Sequence, residues 1–306
     1  MSGDKLKLSD KEIMDRLGID AKTLEMFKKV RGEAMKEVLV LNRKKKGKIR
    51  VLGISGSARD KHDMAQEWSN SEELLMKALE FCKKQGADTE IISLRKYDIR
   101  PCKACYSSAN TQCHYPCSCY SKSMNSEDDM TRILYDKIYN ADAIIFATPV
   151  NNFSISSYMK LFIDRCISMD GSLKPANPRS PKDRELNIKQ MKFIEMTADN
   201  DIPGSGMLRR FPGKVAGIIA TGHEEGASLA MASLYMTLTH YGMAFPPFSN
   251  VYAMSSVCNS TYEDKPLVLS ECYSADVELL TKNVVTMARA LRNVKSTDWK
   301  NDYASN

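Results

Sequence analysis

The spacing of hydrophobic positions changes character near Lys48. Before it, Leu24, Phe27, Val30, Met35 and Val38 recur at roughly helical intervals, a spacing that turns one apolar face toward another layer. Ser9 or Asp10 precedes KEIMDRLG, and Asp20 precedes AKTLEMFKKVRGEAMKEVLVL. Each is a short oxygen-bearing side chain able to accept from the free N–H groups of a helix start. Residues 1–48 therefore read as a helical N-terminal extension, either a dimerisation arm or an extra layer.

After Lys48, short β-rich apolar runs alternate with amphipathic stretches. Residues 48–55 (KIRVLGIS), 89–94 (TEIISL), 142–148 (DAIIFAT), 214–221 (KVAGIIAT) and 243–252 predict five strands. Residues 71–86, 156–167, 227–241 and 274–294 predict helices, the first closed by Gly86. Five strands joined through helices imply a doubly wound parallel sheet covered on both faces, an α/β domain over 49–294 with 295–306 as a tail. Two stretches break the rhythm. Residues 101–129 carry cysteines, and residues 170–213 are polar and proline-rich. Loops of that length usually serve as lids or partner surfaces. With Arg209-Arg210-Phe211 at its tip, the second reads as a partly ordered, charged-edged surface that covers the ligand site or contacts another subunit.

Composition removes several classes. Among 306 residues, 43% are hydrophobic, as in ordinary globular chains, and no internal period is visible. No apolar run approaches the roughly 18–20 residues of a membrane span. The start MSGDKLKLSDKEIMD lacks the order of a secretory signal, so a cytoplasmic protein with no membrane contact is expected. Charge is uneven: residues 1–50 net +7, the rest −1. The excess centres on Arg43, Lys44, Lys45, Lys46, Lys48 and Arg50. It lacks aromatic interleaving or zinc-finger spacing and reads as a solvated linker, with no nucleic-acid partner expected.

Candidate chemistry begins where the first strand ends. Open parallel sheets bind ligands beyond the carboxyl ends of their strands. There GISGSAR (Gly53–Arg59) offers hydroxyls, backbone N–H groups and a fixed cation before a helix N-terminus, the parts a phosphate monoester needs. It is neither a GxxxxGK[ST] loop nor a GxGxxG turn. On the loop alone, a phosphate site and a plain serine–glycine turn both stay open. Pro149 after a strand gives a rigid turn. Asn151 and Asn152 can donate and accept, which suits a ring edge of alternating C=O and N–H, or simply make a turn.

Nine cysteines are many for a reducing compartment. Cys82, Cys166, Cys258 and Cys272 are dispersed, and buried inert thiols are expected there. Cys102, Cys105, Cys113, Cys117 and Cys119 crowd into one segment as C-x2-C-x7-C-x3-C-x-C. A C-x2-C pair lets two thiolates grip one metal centre. Zinc, an iron–sulfur cluster and unmetallated thiols all remain open on spacing alone.

Taken together, GISGSAR, Ser69-Asn70-Ser71, ATPVNNFSISSYMKLFIDR (Ala147–Arg165) and ATGHEEGA (Ala220–Ala227) resemble the flavodoxin-like NADPH-dependent FMN reductase family, in particular its iron–sulfur flavoprotein branch. The resemblance implies a flavodoxin-like five-stranded sheet. It implies that Ser55, Ser57, Arg59, Asn70 and Ser71 hold an FMN phosphate, that Pro149, Val150, Asn151, Asn152 and Phe153 lie along the isoalloxazine, and that Thr221, Gly222 and His223 close its other side. Two departures stand out: Asp60–Glu67 lengthens the phosphate loop, and Asn151 occupies the family's aromatic position. The branch also implies a 4Fe–4S cluster on Cys102, Cys105, Cys113 and Cys117 or Cys119, although Ser108 stands where a third cysteine is common. The expected function is FMN-dependent electron transfer between NAD(P)H or a redox partner, the flavin and the cluster, in a homodimer or homotetramer. A cluster-free NAD(P)H:quinone or FMN reductase, or an electron carrier without NAD(P)H activity, are the alternatives. No acid–base catalyst is identified.

Overall fold

The computed structural model describes residues 8–42, 46–199, 201–222, 226–254, 265–266, 270–295 and 298. The apolar runs after Lys48 form β1 (Arg50–Ser55), β2 (Asp88–Ser93), β3 (Ala143–Asn151), the short β4 (Ser154–Ile155), β5 (Val215–Gly222) and β6 (Asn250–Met254). The helices are α1 (Asp10–Leu17), α2 (Ala21–Leu41), α3 (Asn70–Lys84), α4 (Tyr135–Asn140), α5 (Ser157–Cys166), α6 (Arg184–Thr197), α7 (Ala227–His240) and α8 (Glu271–Leu291). Strand order is β2-β1-β3-β5-β6, and each of these pairings is parallel. This is the flavodoxin-like winding, whose order reverses beside β1 and leaves a crevice there. None of the helices among the described residues is long and apolar enough to cross a membrane.

Each face of the sheet has its own core. On one, Leu74, Leu75 and Ala78 of α3 meet Val277, Leu280 and Val284 of α8 over Val51, Ile145 and Ile219. On the other, Met159 and Phe162 of α5 and Leu234 and Leu238 of α7 cover Ile144, Phe146 and Ile218. Covering both faces is why β1 and β3 are buried almost throughout.

Three expectations need correcting. The fifth strand starts at Asn250, not Met243. Ala244 makes only an isolated bridge to Val215; Pro246 and Pro247 then bring no N–H to a ladder, and Phe248 takes φ 52°. The segment 170–213 is no mere loop, because it contains α6, capped by Asp183 whose carboxylate accepts from Leu186 N–H at 3.0 Å. Its tip is not an exposed charged edge either. Phe211 stacks on Tyr241 with ring centroids 5.2 Å apart, Arg209 Nε donates to Asp170 at 2.6 Å, and Arg210 Nε donates to Glu37 at 2.7 Å.

The leader packs against that segment. Ser9 and Glu12 form a reciprocal capping box on α1, and Asp20 caps α2. Leu24, Phe27, Val30, Ala34 and Val38 of α2 close over Leu173, Phe193, Ile194 and Met207 of the segment 170–213. Ala34, not Met35, continues the buried face. Contact is close enough that a Cβ on Gly204 would lie 2.9 Å from the Met35 Cα. Leader and insert thus form one apolar layer beside the sheet. The basic residues 43–45 lie outside the described residues.

Candidate functional site

Parallel pairing brings the ends of β1, β3 and β5 side by side: Ser55 is in register with Ala147, and Pro149 with Thr221. The loop after β1 is clamped there. Gly56 N–H donates to the Ala147 carbonyl at 2.8 Å, while Ser156, which caps α5, donates through Oγ to the Gly56 carbonyl at 2.6 Å. A Cβ on Gly56 would sit 2.8 Å from Ser156 Oγ and 2.9 Å from Met159 Cβ, so only glycine lets α5 approach.

Around this clamp, Ser55, Ser57 and Ser71 are wholly buried and Asn70 nearly so. The Ser57 hydroxyl accepts from Arg59 N–H at 3.1 Å. Ser69 caps α3, leaving Ser71 Oγ 3.2 Å from it. Arg59 is half-exposed and paired with Glu67 on the lengthened loop. Among the described residues, the buried Asn70 Oδ1 and Arg59 Nε have no hydrogen-bond partner.

One residue here escaped the sequence reading. Glu72 on α3 is 2% exposed; it accepts from Ser55 Oγ at 2.6 Å, Ser93 Oγ at 3.0 Å and Arg95 Nη2 at 3.0 Å. Arg95 also donates to Asp60 at 2.7 and 2.9 Å. Burial opposes its charge, but Glu72 and Asp60 outweigh that and raise its pKa. The Ser55 hydroxyl is therefore engaged from within, and the loop extension is anchored to the sheet. Ser69-x-x-Glu72 has the spacing of a capping box, which in sequence disguises the inward-facing carboxylate.

Beyond β3 the chain makes a two-residue hairpin, with Val150 opposite Ile155 and Asn151 opposite Ser154. Asn152 and Phe153 form its tip at φ 50° and 62°, the pattern of a type I′ turn. Asparagine tolerates that region, whereas phenylalanine is strained there. The tip is pressed against the start of α7, where a Cβ on Gly226 would fall 2.6 Å from the Phe153 Cα. Pro149 before the hairpin is half-buried, Val150 within it is buried, and Phe153 is exposed. Thr221 and Gly222 end β5 beside Pro149. His223 lies outside the described residues.

The five clustered cysteines do come together. Cys105 Sγ lies 3.8 Å from Cys119 Sγ, with Cys113 electrostatically coupled to Cys105 and Cys117 to Cys119. Cys102 accepts from Ala104 N–H at 3.4 Å and is electrostatically coupled to Cys105 and Cys117. Shared sulfur hydrogen bonds and burial raise the pKa of Cys117, and burial raises that of Cys102. Among the described residues, no three Cys, His, Asp or Glu side chains converge as on a single metal ion. Of the dispersed cysteines, Cys82 and Cys166 are buried; burial pushes Cys82 up to about 12, as for an inert thiol. Cys258 lies outside the described residues.

Two cations frame the thiols. Lys182, from the insert, donates to the Gln112 carbonyl at 2.7 Å and reaches Cys105 Sγ at 3.4 Å. Burial opposes its charge, yet Cys105 and Cys119 hold its pKa above the ordinary value. Arg165, at the end of the Lys-x-Phe-x-Asp-Arg helix, is 1% exposed. It pairs with Asp128, donates to the Arg100 carbonyl at 2.8 Å and to Thr131 Oγ1 at 3.1 Å, and stacks 4.6 Å over the Tyr120 ring. That arginine belongs to a motif read as flavin-related, but its side chain fastens the cysteine segment. His114 within that segment is buried, and burial, with the Lys182 charge, pushes its pKa down to about 3.

Residues 49–256 match the family model described as NADPH-dependent FMN reductase. The chain is 31% identical over 119 residues to an iron–sulfur flavoprotein of Methanosarcina thermophila, covering 39% of this chain and 53% of that protein. It is 32% identical over 117 residues to an iron–sulfur flavoprotein of Archaeoglobus fulgidus, covering 38% and 50%. It thus spans about half the length of the curated relatives it matches. Among solved structures, RosB with a bound 8-demethyl-8-formylriboflavin-5′-phosphate intermediate aligns with a TM-score of 0.57 at 18% identity, over 81% of this chain and 82% of that one. This is a likeness of fold.

Proposed function

Because the chain belongs to the NADPH-dependent FMN reductase family, we propose that it is an iron–sulfur flavoprotein that accepts electrons from NAD(P)H and passes them to a redox partner or small acceptor. FMN, when bound, supplies the step from two-electron to one-electron chemistry. The gathering of the clustered thiols beside the half-buried Lys182 and the buried Arg165 carries this reading. A thiolate-ligated cluster brings excess negative charge, and Lys182 and Arg165 offset charge at that place. Cys102, Cys105, Cys113 and Cys117 or Cys119 would hold it.

Fit to FMN rests on the strand ends. The clamped loop and the start of α3 bring Ser57, Ser71 and the Arg59 cation to a place where the helix dipole favours an anion. The unpartnered Asn70 Oδ1 and Arg59 Nε offer an acceptor and a donor to a polyhydroxylated phosphate. Arg95 offsets part of the charge of Glu72 and Asp60 beneath the loop and so weakens their repulsion of that phosphate. Pro149 to Phe153, with Thr221 and Gly222, would border the ring.

A cluster-free NAD(P)H-dependent reductase is the second reading, favoured by the absence of a converged single-ion ligand set among the described residues. Anaerobic purification with assay of flavin, iron, sulfide and zinc decides between them. The first reading expects stoichiometric FMN, iron and sulfide, with a visible shoulder over the flavin bands that NAD(P)H bleaches. FMN without iron establishes the second; absence of flavin rejects both.

A further inference from the structure

Leader, insert and cysteine segment together line a half-open cavity of about 570 Å³. Met26 and Val30 of α2, Pro116 and Cys117 of the cysteine segment, and Pro175 and Ala176 of the insert form its walls. The volume lies in the range of small-molecule sites, which are preformed, mostly apolar concavities with few polar groups. Prolines stiffen its cysteine-segment and insert walls. Its polar lining comprises hydroxyls of and beside the cysteine segment and three charged groups: Lys29 and Lys174 stand with one carboxylate, Glu33, which Lys174 meets at 3.0 Å. The local balance is one net positive charge beside an apolar slot.

We infer that this cavity binds a planar aromatic molecule bearing an anionic edge, of the size of two or three fused rings. The flat apolar body is matched by the Met26, Val30 and proline walls, and the anionic edge by Lys29 and Lys174. Cys117 in the wall sets one face of such a molecule against the cysteine cluster. On the reading that the cluster carries electrons, this is the acceptor site. It stands apart from the loop after β1, since its walls come from α2, the cysteine segment and the insert.

Equilibrium dialysis of the purified holoprotein against anthraquinone-2-sulfonate, whose rings carry no thiol-reactive vinyl position, tests the site. Saturable binding is expected. Met26→Trp, which fills the slot from a half-buried helical position, is expected to weaken it by more than about tenfold, and Lys174→Glu by about two- to fivefold. Equal affinity in all three proteins, or no saturable binding to the wild type, overturns the inference. Flavin and iron are assayed on the same samples. Missing iron rejects the electron-transfer reading, while the dialysis result still decides the ligand site.

Discussion

Arg165 illustrates how much a single buried charge can organise. Its guanidinium joins Asp128, Thr131 and the Arg100 carbonyl, three points on the segment that carries the cysteines. Arg165→Met would leave Asp128 charged and unpaired, so a loss of about 3–5 kcal/mol is expected in urea unfolding, since breaking one half of a buried pair strands the other. Burial alone would raise the Asp128 carboxyl, but the guanidinium outweighs it and holds the pKa below the ordinary value. The pair's contribution is therefore complete above the unfolded carboxylate value of about 3.9 and lost as pH falls through the folded one. Asp128→Asn is expected to unfold earlier near neutral pH yet show a flatter loss of stability below about pH 4, which a pH series of urea midpoints would reveal. At the cysteines, Cys102→Ser is expected to lose iron and its absorbance while retaining FMN, because the phosphate loop lies on a different strand end. Parallel loss of flavin in that variant would show the two sites to be coupled. At the loop, Arg59→Ala is expected to weaken FMN binding by about ten- to a hundredfold in flavin titrations, the loss of a charge-assisted phosphate contact.

Elements were legible to the degree that their partners were local. The runs after Lys48 announce strands because both sheet faces are covered and the central strands are apolar at nearly every position. The fifth run misleads, since apolarity says nothing about N–H groups and Pro246-Pro247 has none to offer. The turn chemistry of Asn152 could be anticipated, whereas Phe153 at positive φ could not. Helix α6 stayed hidden because its apolar residues Phe193 and Ile194 sit among lysines, glutamines and glutamates and find their partners on α2. Conversely, the α2 stripe was visible while its destination was not. Phe27, 1% exposed and 5.6 Å from the Phe193 ring, ties these two helices together. Phe27→Ala is expected to cost about 3–5 kcal/mol, as for other buried aromatic truncations, with hydrogen exchange rising first in α2 and α6.

At the scale of the molecule, winding order and the crevice at the strand ends followed from counting alternating elements, and the candidate phosphate loop from its place after the first strand. The charge networks behind it and around the thiols did not follow, because Glu72, Arg95, Asp128 and Lys182 are ordinary surface-type residues in sequence and acquire meaning only from burial. The cysteine cluster was legible as a cluster, but its two framing cations come from α5 and the insert. That dispersion has a consequence for how the protein is made. Glu37 waits for Arg210 across 173 positions and Cys105 for Lys182 across 77. At ordinary translation rates of roughly 5–20 residues per second, the apolar stripe of α2 leaves the ribosome about 10–35 s before the residues that cover it. During synthesis that stripe is a surface for chaperones or for neighbouring nascent chains, and the thiol pocket acquires its Lys182 wall only after most of the sheet has been translated.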